Sequence, residues 1–513
     1  MLSRIKTATL IGVGGYPVTV ETDVHRGMPA FNIVGLADTT IKEACQRIRP
    51  AVLNSGYDFP QEKVTVNLVP AGRPKEGSHF DLPIALGIIA LGWESPIAED
   101  TAFLGEVSLD GRVNRIRGAL PLVMSIRKAG IKNIVLPAGN AEEASIMEDV
   151  RLLPVENLRE AAEYLRGEKG LTVYVKKQQQ TRKIATRDFS QVVGQESVKR
   201  AILIGAAGNH GIMLMGGPGC GKTMMAKRIP TILPSLTYEE KLEITGIYSV
   251  AGLLTEESPI VEERPFRSPH HTISRTGLTG GGIKPKPGEL SLAHRGVLFL
   301  DELGEFEMST IDAMRQPVED GYVRVMRNFE EVVFPSQVMI VVAANPCKCG
   351  YLWDEKRVCS CGRKQLDSYR RKLSGPFSDR IDMHIKVVAV PREKIRGTEA
   401  AEGRESNLSS EMMRRQVEDA RVIQRKRYEK TGFKDNGSLD ENGLKLFCTP
   451  DEAGEKLLSD AYEKLGLSMR AYMKLLKIAR TIADLEGSET IKKEHIAEAL
   501  MYRVSHWEQE PGV

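Results

Sequence analysis

The stretch Gly-Gly-Pro-Gly-Cys-Gly-Lys-Thr, residues 216–223, follows an apolar run at 212–215 and opens a helical run that stops at Pro230. Its glycines let the backbone turn tightly, so that backbone N–H groups can face phosphate oxygens. Lys222 would then reach the β- and γ-phosphates of a nucleotide, and the Thr223 hydroxyl would bind Mg²⁺. The residues predicted to contact the nucleotide are Gly216, Gly217, Pro218, Gly219, Cys220, Gly221, Lys222 and Thr223.

Two further apolar runs end in polar residues. The run at 297–300 leads into Asp301 and Glu302, and the run at 338–344 leads into Asn345. Asp301 can hold the metal shell, Glu302 can take a proton from the attacking water, and Asn345 can orient that water. The loop and the acidic strand end, in this order, predict hydrolysis of ATP with Mg²⁺.

Two arginines complete the pattern. Arg380 lies between a loop and the next element, where it could reach the γ-phosphate of a neighbouring subunit. The alternative is an ion pair with Asp379 or Asp382. Arg470 opens the C-terminal helical run, where it could touch phosphate when a helical lid closes. Together with the strand-end asparagine, these residues resemble sensor 1, the arginine finger and sensor 2 of AAA+ ATPases.

The resemblance extends to two insertions, at 265–294 and 317–335, which look like the helix-2 insert and the hairpin before sensor 1 of the magnesium-chelatase clade. Across essentially the whole chain, the sequence resembles the magnesium-chelatase-like ComM/YifB family of AAA+ ATPases. That resemblance implies a homo-hexameric ring with DNA as its partner. It also implies a role in branch migration of recombination intermediates during natural transformation.

In this clade the two insertions face the central channel. Arg324 and Arg327 flank the tip of the predicted hairpin 322–333 and could grip a phosphate backbone. The alternative is a solvent-exposed hairpin whose surface arginines bind no ligand. Other candidates for the same contact, from the first insertion, are Lys284, Lys286, Arg267 and Arg275.

Two other functions stay open. Magnesium chelatase uses the same ATPase core to drive Mg²⁺ into a porphyrin with partner subunits. A protein-remodelling scaffold is the other alternative, which the charge balance weakly favours: 71 basic and 68 acidic side chains leave a net charge of only +3, so any contact with nucleic acid must be local.

Four of the seven cysteines form two Cys-x-Cys pairs, Cys347 with Cys349 and Cys359 with Cys361. Two such pairs can present four thiolates in a tetrahedron, which suits zinc. An iron–sulfur cluster is the second possibility. Disulfides are disfavoured in a reducing cytosol. Because the cluster lies between Asn345 and Arg380, it is expected to support the loop that carries the arginine.

The N-terminal segment 72–83 resembles the region around the catalytic serine of Lon proteases, and 128–137 resembles the stretch after the catalytic lysine. Lon requires a Ser nucleophile within hydrogen-bond reach of a Lys base. Here His79 stands at the serine position and Leu122 at the lysine position. We therefore expect no proteolysis. Arg47, Arg49, Arg73 and Lys75 become candidate DNA contacts.

The predicted fold class is α/β. The 513 residues divide into a Lon-protease-like (S5 domain 2-like) domain without its dyad at 1–170 and a linker at 171–186. An AAA+ P-loop ATPase core at 187–390 and a basic linker and helical tract at 391–440 precede a small helical lid at 441–513. Neither a signal peptide nor a membrane-spanning run is found, so a cytoplasmic location without membrane partners is expected.

Overall fold

The computed structural model describes residues 2–91, 93, 100–176, 187–327, 330–354, 357–373, 377–390 and 408–503, without the side chains of 327 and 330. Of the residues predicted above to form sites, only the side chain of Arg327 lies outside the described part. None of the described helices is both long and apolar enough to cross a bilayer.

A mixed sheet of seven strands forms the N-terminal region, in the order β3-β4-β2-β1-β5-β8-β9. The first two strands pair antiparallel, whereas β5, β8 and β9 run parallel to one another. The strands are β1 (Leu2–Ile11), β2 (Gly14–His25), β3 (Ala30–Val34), β4 (Lys63–Val69), β5 (Thr101–Phe103), the short pair β6 (Glu106–Val107) and β7 (Val113–Asn114), β8 (Asn133–Pro137) and β9 (Arg151–Val155).

Helices cover this sheet, and their buried residues recur at helical spacing, as Ile41, Ala44, Ile48, Ala51 and Val52 do in the first of them. That helix begins where the Asp38 side chain accepts a hydrogen bond from the backbone N–H of Ile41. The helices of the region are Thr39–Asn54, Asp81–Ile89, Ala119–Lys128, Ala141–Ala144 and Leu158–Arg166.

The central region carries a parallel five-stranded sheet in the order β11-β14-β17-β10-β18. Its buried residues alternate between two faces, because successive side chains of a strand point in opposite directions. Leu214 and Val341 belong to one hydrophobic cluster, and Met213 and Val342 belong to another. The strands are β10 (Ile212–Met215), β11 (Phe266–Arg267), β14 (Val297–Leu300), β17 (Met339–Ala344) and β18 (Met383–Lys386).

The two insertions form small antiparallel pairs outside this sheet, β12 (Gly280–Gly281) with β13 (Lys286–Pro287), and β15 (Tyr322–Arg327) with β16 (Glu330–Pro335). The second pair is the predicted hairpin. The helices of the central region are Glu196–Gly208, Lys222–Ala226, Tyr238–Ala251, Arg275–Thr279, Glu289–Leu292, Met308–Ala313, Arg315–Asp320 and Arg363–Leu373.

The C-terminal part is helical and packs against one face of the central sheet. Val417, Leu475 and Ile482 share a hydrophobic cluster with Leu214 and Val341. The lid helix Met469–Leu485 starts where the Ser468 side chain accepts a hydrogen bond from the backbone N–H of Ala471. The helices are Ser410–Tyr428, Glu441–Phe447, Glu452–Leu465, Met469–Leu485 and Lys493–Met501.

The N-terminal and central regions are in direct contact. The backbone N–H of Gly118 donates to the Ser249 carbonyl at 3.2 Å, and Tyr238 Oη donates to the Ile146 carbonyl at 2.9 Å. The Ser249 hydroxyl also bonds to the carboxylate of Glu143. The helix Tyr238–Ala251, which precedes the 265–294 insertion, therefore packs against the N-terminal domain.

Candidate nucleotide site

Three polar strand ends meet at one edge of the central sheet. Strand β17 lies between β10 and β14 and runs parallel to both. Because the carboxyl ends of parallel strands share an edge, the phosphate loop after β10, Asn345 after β17 and Asp301 after β14 become neighbours. This is the part of an open α/β sheet where ligands bind.

Lys222 is the centre of the phosphate loop's hydrogen bonds. Its Nζ donates to the carbonyl oxygens of Gly216 at 2.6 Å and Gly217 at 2.9 Å, and to Asn345 Oδ1 at 3.1 Å. The side chain is buried. Glycines 219 and 221 both have positive φ, a conformation that favours residues without a Cβ. The loop thus presents its lysine beside the strand-end asparagine.

The two predicted magnesium ligands also lie together. Thr223 Oγ1 donates to Asp301 Oδ2 at 2.8 Å, and Asp301 Oδ1 accepts from the backbone N–H of Glu302 at 3.0 Å. Glu302 is exposed and has φ of +53°, which is uncommon for a residue other than glycine. Such strain concentrates at functional sites. The arrangement can hold a divalent cation between hydroxyl and carboxylate oxygens.

Sequence reasoning missed Tyr369 and Lys372, which lie on the helix Arg363–Leu373. Tyr369 Oη donates to the Asn345 carbonyl at 3.2 Å, and Lys372 Nζ donates to the Gly304 carbonyl. Burial raises the pKa of Tyr369, so its hydroxyl stays protonated and can donate. The helix is strongly polar, and nothing in its pattern pointed to the nucleotide site.

Arg380 and Arg470 lie on other elements. The guanidinium of Arg380 pairs with Glu319 Oε1 at 2.9 Å. This carboxylate comes from the helix Arg315–Asp320, whereas the sequence alternative had considered only the neighbouring acids Asp379 and Asp382. Arg470 is exposed on the first turn of the helix Met469–Leu485.

Asp382 binds the core to the lid. Its carboxylate lies 3.1 Å from Lys474 Nζ on the long lid helix, and it accepts a hydrogen bond from the backbone N–H of Gly211 at 2.9 Å. Burial by itself would raise the pKa of Asp382. The charge of Lys474 and hydrogen bonds from His210 and Gly211 outweigh it and lower the pKa far below its ordinary value. The carboxylate is therefore ionised throughout the neutral range.

The four cysteines of the two Cys-x-Cys pairs form one cluster. Cys347 Sγ lies 3.3 Å from Cys349 Sγ and 3.7 Å from Cys359 Sγ, and the last two are 3.5 Å apart. All four sulfur atoms, including that of Cys361, lie within 4.8 Å of one another. Four sulfurs at about 2.3 Å from a tetrahedral zinc ion would be separated by about 3.8 Å. The donor set and its spacing therefore fit such an ion.

The candidate DNA contacts differ in their surroundings. Lys286 is exposed, whereas Lys284 pairs with Asp38 of the N-terminal region at 3.2 Å. Arg324 is half-exposed, pairs with Glu331 at 2.9 Å and lies over the Tyr322 ring. Arg275 is exposed, whereas Arg267 makes two 2.6 Å contacts with Glu289, so its charge is already matched.

In the Lon-like region, His79 is buried and its Nε2 donates to the Ala8 carbonyl at 2.9 Å. Burial lowers its pKa to about 4, so the ring is neutral at pH 7. Leu122 is fully buried in an apolar cluster. Neither position therefore offers a nucleophile or a lysine base.

The basic residues proposed there as DNA contacts are mostly engaged. Lys75 is fully buried, with its Nζ donating to the carbonyls of Gly35 and Pro70, so the expectation that it grips DNA was wrong. Arg47 donates twice to Asp81 at 3.0 Å. The other two stack on rings: the Arg49 guanidinium lies over Phe59 and that of Arg73 over Tyr16.

Comparison with known proteins agrees with this architecture. Three families match consecutive parts of the chain: "Subunit ChlI of Mg-chelatase" at residues 20–140, "Magnesium chelatase, subunit ChlI" at 188–395, and "Magnesium chelatase, subunit ChlI C-terminal" at 407–503. The N-terminal region is also similar to the Lon protease of Aquifex aeolicus, 29% identical over 161 residues, which are 29% of this chain and 20% of that protein.

Similarity to two bacterial proteins covers nearly the whole chain. The YifB protein of Salmonella typhimurium is 38% identical over 504 residues, 98% of this chain and 97% of the relative. The competence protein ComM of Haemophilus influenzae is 37% identical over 510 residues, again 98% of this chain and 97% of the relative. With its AAA+ core, Lon-like N-terminal domain and helical lid, the chain belongs to the magnesium-chelatase-like ComM/YifB family and is an ATPase that uses ATP and Mg²⁺.

Proposed function

We propose that this ATPase is a homo-hexameric motor that acts on DNA and drives branch migration of recombination intermediates. The observation that carries the proposal is the hydrogen-bonded set at the sheet edge, in which Lys222 meets Asn345 and Thr223 meets Asp301. ATP hydrolysis at this site would drive work on a bound macromolecule, and the exposed cations of the two insertions offer a surface for a polyanion. Similarity to a protein named for competence supports DNA as that polyanion.

The residues of the site have distinct roles in this proposal. Lys222 exchanges its loop carbonyls for phosphate oxygens when a nucleotide enters, and Asn345 orients the attacking water. Glu302 takes the proton of that water at its carboxylate. Thr223 and Asp301 would hold Mg²⁺, which neutralises charge on the β- and γ-phosphates when bound.

Hydrolysis is proposed to be completed between subunits. Arg380 would leave Glu319 and reach the γ-phosphate held by the neighbouring protomer, where an arginine stabilises the charge of the transition state. Arg470 would contact phosphate as the lid closes. Since Asp382 follows the finger by two residues and pairs with Lys474 on the lid helix, movements of the finger and the lid are linked.

DNA would be held by the insertions. Lys286 and Arg324 are exposed on neighbouring antiparallel pairs, and Arg327 ends the first strand of the hairpin. Lysine and arginine side chains that contact only phosphates, and no base edges, bind DNA with little sequence preference. This suits a motor that must move along any sequence.

We also propose that the four-cysteine cluster, defined as Cys347, Cys349, Cys359 and Cys361, holds one zinc ion per protomer. Thiolates are ligands that zinc favours, and the sulfur spacing suits a tetrahedron. Metal analysis of protein purified without added metals tests this. One equivalent of zinc is expected, whereas iron together with inorganic sulfide would show that the cluster holds an iron–sulfur centre instead.

A second function has an observation in its favour. All three matching families are described as magnesium chelatase ChlI, so this chain could drive insertion of Mg²⁺ into a porphyrin together with chelatase partners. A protein-remodelling role, with the Lon-like domain holding a client, is the third candidate.

The deciding experiment measures ATP turnover by the full chain with three additions: a Holliday-junction DNA, a linear duplex of the same composition, and a porphyrin with chelatase partner subunits. We expect the junction to stimulate turnover most, and to be converted into its branch-migrated products only when ATP is present. Stimulation by the porphyrin mixture alone would establish the chelatase alternative. Stimulation by none of them, with a protein co-purifying, would favour remodelling.

A further inference from the structure

The four-cysteine cluster lies directly on the phosphate loop. Gly350, the residue after Cys349, has φ of +86°, and a Cβ placed on it would lie 2.9 Å from Pro218 Cδ. Its carbonyl oxygen faces the opposite glycine, since a Cβ on Gly217 would lie 3.4 Å from it. Real Cβ atoms hardly ever come within 3 Å of another heavy atom, so at position 350 only glycine fits against the Pro218 ring without a shift.

The same cluster is joined to the strand-end asparagine. Cys347 follows Asn345 by two residues, and the Asn345 side chain accepts the hydrogen bond from Lys222. A shift of the segment 345–350 would therefore move the acceptor for Lys222 and the wall beside Pro218 at the same time. Both belong to the surface that must receive the phosphates.

The second pair of cysteines reaches the acidic strand end. Cys361 lies two residues before the helix Arg363–Leu373. On that helix, Tyr369 donates to the Asn345 carbonyl, and its ring packs where Gly304 has no side chain. Lys372 donates to the Gly304 carbonyl, in the turn that follows Glu302. The helix thus spans from the cysteines to the turn that carries the proposed base.

The Trp353 ring packs against an apolar cluster of the core, but regular secondary structure does not hold the cysteine segment in place. Its described residues, 346–354 and 357–361, contain no helix or strand, and three of its four cysteines are only half-buried. Thiol groups are weak hydrogen-bond donors and acceptors, so they cannot fix a loop by themselves. A metal ion bound by four sulfurs would supply a cross-link between the two Cys-x-Cys pairs that regular structure does not.

We infer that the metal in the four-cysteine cluster is a positioning element of the nucleotide site: it fixes the segment 345–350 against the phosphate loop and so sets the affinity for ATP. The inference rests on the proposed zinc ion. The new element is that metal bound in the four-cysteine cluster controls ATP affinity without itself contacting the nucleotide.

The test compares three variants of the full chain by zinc content and by the Kd of a fluorescent ATP analogue with Mg²⁺. The double variant Cys359→Ser, Cys361→Ser removes two ligands. Gly350→Ala leaves all four ligands but forces the segment away from Pro218. Cys45→Ser is the matched control, since this thiol lies in the N-terminal domain and is outside the cluster.

We expect the double variant to lose its zinc and to bind the analogue at least about tenfold more weakly, because a displacement of about 1 Å at a site can cost this much or more. Gly350→Ala should keep zinc and lose a similar amount of affinity. Cys45→Ser should match the wild type in both. A zinc-free protein that binds the analogue with wild-type affinity would overturn the inference.

Two further measurements keep the result clear. If the double variant does not fold, wild-type protein is stripped with a chelator and reloaded with zinc, and affinity should fall and recover; unchanged affinity in the stripped protein overturns the inference equally. A wild type that binds the analogue in a zinc-dependent way but is not stimulated by junction DNA contradicts the proposed motor and leaves the inference standing.

Discussion

At the scale of single residues, the site rests on side chains that already satisfy one another. Lys222 donates to Asn345, and Thr223 donates to Asp301. Glu302 differs, because it is exposed and its backbone adopts a left-handed conformation. A carboxylate held out of regular structure at the mouth of the site is free to meet a water molecule. We therefore expect binding and hydrolysis to be separable by mutation.

Replacing Glu302 with Gln should leave ATP binding intact and slow hydrolysis about 10²- to 10⁴-fold, because only the acceptor for the water's proton is lost. Single-turnover hydrolysis and analogue binding measure the two effects. Glu307→Gln is the control, since this carboxylate is also exposed and lies in the same segment. Normal turnover in the Glu302 variant would remove this residue from the role of base.

Arg380 pairs with Glu319 of its own chain, so its proposed role requires a change of partner. Arg380→Ala should keep ATP binding and lose hydrolysis about 10³-fold or more, the usual contribution of an arginine finger. Lys222→Ala should lose binding. Rings mixed from the two variants should regain part of the activity, because the Lys222 variant supplies a finger to its neighbour. Mixed rings without activity would contradict action between subunits.

At the scale of elements, the core and the lid meet through a nearly buried ion pair. Asp382 and Lys474 have side chains that are 17% and 15% exposed, so solvent screens their attraction little. Removing one partner of such a pair leaves a charge without compensation and costs about 3 kcal/mol. The pair therefore fixes the angle at which the lid helix, with Arg470 at its start, meets the core.

Asp382→Asn should lower the unfolding free energy by about 3 kcal/mol at pH 7, measured by urea denaturation. The folded pKa of Asp382 lies below its ordinary value of 3.8, so its stabilising contribution is present above about pH 4 and decreases as the pH falls further. The variant should lack that part of the acid dependence. Asp460→Asn, in the exposed pair with Lys464, should change stability by less than about 1 kcal/mol.

The sequence predicted most elements whose hydrophobic pattern is strong. The strand ends at Asp301 and Asn345 lie where their patterns placed them. The hairpin at 322–333, which the family resemblance implied, is also present, and its second strand runs on to Pro335. The helix after the phosphate loop ends at Ala226, earlier than expected, and a short 3₁₀ turn carries Pro230. Periodicity identifies elements well but locates their ends poorly.

Contacts between distant segments could not be predicted in this way. Arg380 pairs with Glu319 from a distant segment, and the nearby acid Asp382 pairs with Lys474 from the lid. Lys75 looked like a surface cation in the sequence but is enclosed by backbone carbonyls. Which carboxylate or carbonyl a cation meets depends on how elements pack, and a local pattern does not contain that information.

At the scale of the whole molecule, the near-neutral net charge of +3 means that DNA must be held by a few local cations. Lys286→Ala and Arg324→Ala should each reduce DNA affinity and lower the slope of log K against log salt by about 1. Arg415→Ala is the control, since this exposed arginine pairs with Glu411 on the helix Ser410–Tyr428. Unchanged slopes would exclude these two cations from the DNA contact.

The turn between β1 and β2 touches the hairpin of the ATPase core. A Cβ on Gly12 would lie 2.9 Å from Val332 Cγ1, and Ile11 and Val13 pack against the cluster that contains Phe334. Deleting the N-terminal domain would therefore expose apolar side chains at the base of the hairpin. Aggregation or inactivity of a truncated protein could then result from this exposed patch alone. The contribution of the domain is therefore better measured by substitutions at Gly12 than by truncation.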